Sequence, residues 1–175
     1  NLVAGIDTHR SYVNAYNSIT VGTAIAYYTT MNTVMLDLIS SITKLTDDNT
    51  INKRILTLVS WSRRKEKSGI ERAVLANVFG RGYFVAGEYT KFLNLVTSQA
   101  IFSITYVDTA ENSQVQYSDS IVTGTNVDTV ASMRATAKSL QNFSHITSDD
   151  WFGNATKVIN MYLLVERTLN SDIST

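Results

Sequence analysis

Arg72 is the residue whose type and setting invite chemistry first. Placed on a helix, Lys65, Gly69, Arg72 and Ala76 follow steps of four, three and four, with Ala73 and Gly80 beside them. The stripe is a run of small side chains around one guanidinium. Small residues let a second helix or a small ligand approach the backbone. A guanidinium among them should not be buried without a partner. Its planar fork suits the oxygens of carboxylate, nitrate or phosphate. Two readings stay open from the stripe alone. Either Arg72 pairs with an acid on a neighbouring helix or snorkels to the surface, or it holds an anion from outside the chain.

Few other residues offer reactive chemistry. The histidines are His9 and His145, with no ExxH or HExxH pair to ligate zinc or a di-iron centre, and there is no cysteine. No thiol chemistry, disulfide, metal cofactor or enzyme activity is indicated. The absent cysteines are compatible with an oxidising compartment. Lys and Arg together number 15, as do Asp and Glu, so net charge is zero and a basic nucleic-acid-binding surface is not expected.

The elements that must position Arg72 are helical. With 175 residues, no proline and 8 glycines, little interrupts a helix, and one domain can bury a proper core. Val21, Ala24, Tyr28, Met31, Met35, Leu38, Ile42 and Leu45 alternate steps of three and four, a coiled-coil-like seam suited to a bundle. Projected backwards, that seam meets Asn17, Asn14, Arg10 and Asp7. The register must therefore shift, with Leu2, Ile6, Val13 and Tyr16 as a second stripe, or this part faces a partner or water. TDDNT at 46–50 stops the first helix. A second helix runs from about Ile51 to Arg81, its apolar side made by Ile70, Val74 and Val78 with Leu75 and Phe79. Its charged patch, Arg63 to Lys67, reads as a solvated face. The third helix starts near Gly87 or Glu88, and its apolar signal fades across Ala110–Asp119 into a polar end or turn. Asn126 to Leu140 form a weaker helix. Thr147 with Asp150 is a capping-box pattern that starts the last one at Ser148 or Asp149. The expected fold is an all-α, antiparallel four-helix-type bundle with long first and second helices and an interrupted last helix, over 1–175 as one domain.

Levelling these helices at ~1.5 Å per residue sets Arg72 opposite about Ala24, and Trp151 near Ile25. Thr23 to Tyr28, Gly69 to Ala73 and the N-terminus of the last helix then share one layer. A helix N-terminus there would favour an anion, and Tyr28 and Trp151 would exclude water.

GIERAVLANVFGRGYF at 69–84, preceded by KE and followed by FLNLVTSQ, resembles the nitrate- and nitrite-sensing (NIT) domain of bacterial signalling proteins. It is similar in particular to the extracytoplasmic version in methyl-accepting chemotaxis proteins. YYTTMN at 27–32, LVTSQ at 95–99 and DWFGNATKVI at 150–159 support the resemblance across most of the chain. It implies an all-helical chemoreceptor sensor in which Arg72 ligates nitrate or nitrite, with Gly69, Ala73, Ala24, Tyr28 and Trp151 around it. A second arginine from a later helix is implied to close on the same anion, and Arg134 is the better candidate over Arg167. Lys65 and Glu66 would help hold the site. ERA here replaces the ERG of many soluble relatives. The same resemblance implies a periplasmic location and a homodimer in the full receptor, anchored by membrane spans outside this stretch. No run within it reaches the ~18–20 apolar residues a span needs, and a start at Asn1 rather than Met matches a fragment of a longer protein. The rival reading is a chemoreceptor bundle for an amino acid or organic acid. That site would need an acid for the ligand's amine, for which Glu66, Glu71 and Asp150 are available.

Overall fold

The computed structural model describes residues 5–15, 19–140 and 142–173. Its elements are α1 (Ile6–Asn14), α2 (Val21–Ser41), α3 (Asn49–Arg81), α4 (Glu88–Thr109), α5 (Asn112–Ile121), α6 (Thr125–Ser139) and α7 (Ser148–Ile173), and there is no strand among the described residues. The molecule is an all-α helical bundle.

Helix α3 is its axis. The Asp48 carboxylate caps it, accepting from the backbone N–H of Thr50 at 2.8 Å and of Ile51 at 3.1 Å. It runs 33 residues and ends at Gly82, whose φ of +80° is the left-handed cap that glycine adopts without strain. The four-spaced stripe of Ile70, Val74 and Val78 is buried as the spacing requires, together with Leu75 and Phe79. Helices α4 and α7 lie antiparallel to α3 on this side. Ser68 meets Gln99 while Arg81 meets Glu88; Trp61 Nε1 donates to the Tyr162 carbonyl at 2.8 Å while Arg72 meets Thr156. Trp61 stacks obliquely on Tyr106 with centroids 4.5 Å apart, and Phe79 packs edge-on to Trp151 at 5.7 Å. Thr147 Oγ1 accepts from the Asp150 N–H at 3.0 Å and donates to its carboxylate at 2.7 Å, so the Thr147 hydroxyl caps α7 at the start that the pattern marked.

Four expectations are corrected. The first helix is broken: α1 and α2 are separate, and Thr20 caps α2 by accepting from the Thr23 N–H at 3.1 Å. Of the second stripe, Leu2 and Tyr16 lie outside the described residues, as does Asn17, and α1 buries none of its own side chains. Only part of the expected coiled-coil seam turns inward. Ala24, Tyr28 and Met31 are half-buried, but Met35 and Leu38 on α2, and Ile42 and Leu45 just beyond it, are exposed, because α2 turns Asn32, Leu36 and Ile39 towards its neighbours there instead. The fading stretch after α4 is a helix in its own right, α5. Glu111 and Gln114 cap it reciprocally, and the Tyr106 hydroxyl donates to the Gln114 carbonyl at 2.8 Å. Finally, the Arg63–Lys67 patch is not a solvated face. Arg63 pairs with Asp37 at 2.7 Å, Lys65 with Glu166, and Arg64 lies over the rings of Trp61 and Tyr162.

Candidate functional site

Where α2 passes α3, the two helices line an open cavity of about 410 Å³. Helix α3 contributes Glu66, Gly69, Ile70, Arg72 and Ala73, and α2 contributes Ala24, Ile25, Tyr28 and Thr29. Val13 of α1, with Ile19 and Thr20 ahead of α2, closes the remaining side. A methyl group added at Gly69 would meet no atom within 4 Å. Gly69 therefore opens onto space, whereas Gly80 at the far end of the helix has Ser148 of α7 beside it.

Arg72 is the cation of this cavity. One terminal nitrogen donates to Thr156 Oγ1 on α7 at 2.8 Å, and the guanidinium lies over the Phe152 ring, 4.4 Å from its centre. Its Nε is buried and has no hydrogen-bond partner. No carboxylate pairs with it among the described ion pairs. Burial holds its pKa below the usual arginine range, yet the fork stays charged near neutrality. A half-buried cation with an unsatisfied Nε–H carries a cost, and an anion that reaches that edge removes it.

Glu66 is the cavity's acid. Its Oε2 accepts from Asn32 Nδ2 of α2 at 2.7 Å. Burial, the largest influence, raises its pKa; the Asn32 hydrogen bond and the charges of Lys67 and Lys65 work against that rise.

Of the residues singled out from sequence, Arg72, Gly69, Ala73, Ala24 and Tyr28 come together on this cavity. Trp151 and Arg134 do not line it. Trp151 is 1% exposed and sits behind α3, its Nε1 donating to the Arg72 carbonyl at 2.8 Å. Phe152, the next residue, takes the place over the guanidinium. Arg134 is engaged by Glu71 on a different side of α3, Nε to Oε1 and a terminal nitrogen to Oε2, both at 2.7 Å. Gln99 donates to the same carboxylate at 2.7 Å and accepts from Ser68 at 2.7 Å. Burial works against the Arg134 charge, but Glu71 outweighs it and the pKa is raised. This arginine already has its anion. Arg167 is exposed on α7, about three turns beyond Thr156, and Arg10 pairs with Asp7 at 3.6 Å. The start of α7 is corrected too. Ser148 packs beside Gly80 rather than beside Arg72, so Arg72 meets α7 in its second and third turns and not at its free N–H groups.

Sequence reasoning missed Thr156 and Phe152. Both lie inside DWFGNATKVI, and a levelling one turn deeper would have reached them. Known proteins now bear on this geometry. The family described as nitrate and nitrite sensing matches residues 1–174. Neither the curated proteins nor the solved structures give a match. A match spanning essentially the whole chain means that it belongs to the nitrate- and nitrite-sensing (NIT) family.

Proposed function

We propose that the chain is the extracytoplasmic sensor of a membrane-anchored bacterial chemoreceptor and that nitrate or nitrite docks on Arg72 in the cavity between α2 and α3. One observation carries the reading: a half-buried guanidinium lines the cavity, has no in-chain carboxylate among the described ion pairs, and keeps a buried Nε without a hydrogen-bond partner. A flat monovalent anion would lie along the Nε edge, with Thr156 steadying the opposite side of the fork and Tyr28 across the cavity. Such an anion contacts α2 and α3 directly and α7 through Thr156, so it favours one relative position of the three. Only a differential contact of that kind shifts a signalling equilibrium. Displacement of the first and last helices would pass into membrane spans flanking the chain. The exposed apolar stripe of Met35 and Leu38 on α2 with Ile42 just beyond it supports a homodimeric receptor, whose sensor we place in the periplasm.

Thermal unfolding with nitrate, nitrite and chloride tests this. Nitrate or nitrite at a hundred times its Kd should add about 2.7 kcal/mol of stability. Arg72→Ala should abolish that gain and leave the helix content seen by circular dichroism unchanged. An equal nitrate shift in the variant would defeat the assignment.

A further inference from the structure

The cavity has a second charged wall that nitrate leaves unused. Its volume of about 410 Å³ is within the range of sites for whole organic ligands, and a water molecule claims only about 30 Å³ of liquid. A four-atom anion on Arg72 would leave most of it empty. The remaining lining is largely aliphatic: Ile25 and Ala24 from α2, Ile70 and Ala73 from α3, and Val13 from α1. At its other pole is Glu66, six residues back along α3, or about 9 Å at the helical rise.

These two charges are unmatched in the same way. Neither belongs to any ion pair among the described residues, and they are not paired with each other. Asn32 satisfies one oxygen of Glu66 and supplies no charge. Lys65 pairs with Glu166 and Arg63 with Asp37; Lys67 borders a neighbouring cleft together with Glu66 and acts on that carboxylate through space without forming an ion pair. Burial is the leading influence on both groups, disfavouring the charged form of each. A ligand carrying one negative and one positive end would compensate both poles, and an aliphatic stem between them would cover the apolar wall.

We infer that the cavity is a two-pole site that also takes a short zwitterionic amino-carboxylate, its carboxylate on Arg72 and its ammonium on Glu66. The inference rests on Arg72 as the anion pole and adds Glu66 as the cation pole. Such a ligand and nitrate exclude each other, since both need the Nε edge of Arg72.

Calorimetric titration of the protein with γ-aminobutyrate, butyrate, butylamine and nitrate tests it, with glycine and β-alanine as shorter spans. In the unaltered protein γ-aminobutyrate should bind about tenfold or more tighter than either one-pole analogue, because it keeps a charge-assisted contact that each analogue lacks. It should also displace nitrate. Glu66→Gln keeps the size and removes the charge. In that variant γ-aminobutyrate should fall to the level of butyrate. If nitrate binds and no amino-carboxylate outdoes its one-pole analogues, the two-pole site is wrong and the nitrate reading stands. If amino-carboxylates bind and nitrate does not, the two-pole site survives and the nitrate reading falls. If nothing binds, both fall. The comparison of analogues in the unaltered protein holds whether or not the variant folds.

Discussion

Thr156 decides which edge of the Arg72 fork is left over. Its hydroxyl accepts from one terminal nitrogen at 2.8 Å and donates to the Phe152 carbonyl at 2.6 Å, so the oxygen is held by its own helix while it orients the guanidinium. Thr156→Val keeps the shape and removes the acceptor. Nitrate affinity should drop by about three- to tenfold, in line with one hydrogen bond to a charged group, as read by titration. The global melting curve should scarcely move. Glu66 permits a prediction in pH. Its folded pKa is raised, so the native state binds more protons than the unfolded chain between the ordinary value of 4.5 and the raised one. The stability it contributes is complete below 4.5 and is lost as pH rises through the raised value. Glu66→Gln cannot titrate. Urea unfolding across that window should therefore show the unaltered protein losing ground to the variant as pH rises, and a constant gap would refute the assignment. Arg72 was legible in the sequence because glycine and alanine around a guanidinium are an unusual stripe. Thr156 was not, because a lone threonine on a helix has no signature until its level is known. Trp151 drew the eye as the aromatic, yet its bulk fits only behind α3, and the smaller Phe152 reaches the fork.

Glu71 and Arg72 are neighbours in sequence but about 100° apart around α3, and the helix uses that angle to divide their work. Glu71 is 1% exposed and ties α3 to α6 through Arg134 and to α4 through Gln99. Arg72 turns to the α2 side and to α7. Arg134→Ala should therefore act on stability before it acts on ligand. It leaves a buried carboxylate with only Gln99 for a partner, which costs about 3 kcal/mol or more. Replacing Glu71 and Arg134 together by leucine should recover much of that loss, since the uncompensated charge disappears with its partner. Denaturant midpoints for the single and double variants check this. A single variant as stable as the parent would mean that the pair contributes nothing. The pairing was hidden because its partners are 63 residues apart, and no local pattern on α6 marks Arg134 as taken. Helix α3 itself was readable from the four-residue spacing of Ile70, Val74 and Val78. Helix α5 was missed because its stretch lacks an apolar period and its caps are Glu111 and Gln114 rather than the usual hydroxyl.

At the scale of the molecule, the cavity lies between a firm part and a loosely held one. The buried core is built from α3, α4, α6 and α7 with Phe143 and Ile146, and among the described side chains none of its buried members comes from α1 or α2. Helix α2 is attached by half-buried side chains such as Ile25, Leu36 and Ile39 and by polar contacts, Asn32 to Glu66 and Asp37 to Arg63, and α1 stacks His9 on Tyr27 at 3.6 Å. The seam on α2 was misassigned for this reason. Regular apolar spacing shows that a helix has a face, but not whether that face meets its own chain. Weak attachment suits a sensor, because an element can report on a ligand only if its position is poised by little free energy. Hydrogen exchange should resolve the two parts. Amides of α2 should exchange through local openings much faster than those of α3 and α7, which need global unfolding. Saturating nitrate should slow exchange in Ala24–Thr29 by up to about a hundredfold at a hundred times its Kd, and leave α5 unchanged. Arg72→Ala should erase that protection. Uniform exchange across α2 and α3, or protection by nitrate that spares α2, would mean that the cavity does not couple the ligand to the helix most able to move.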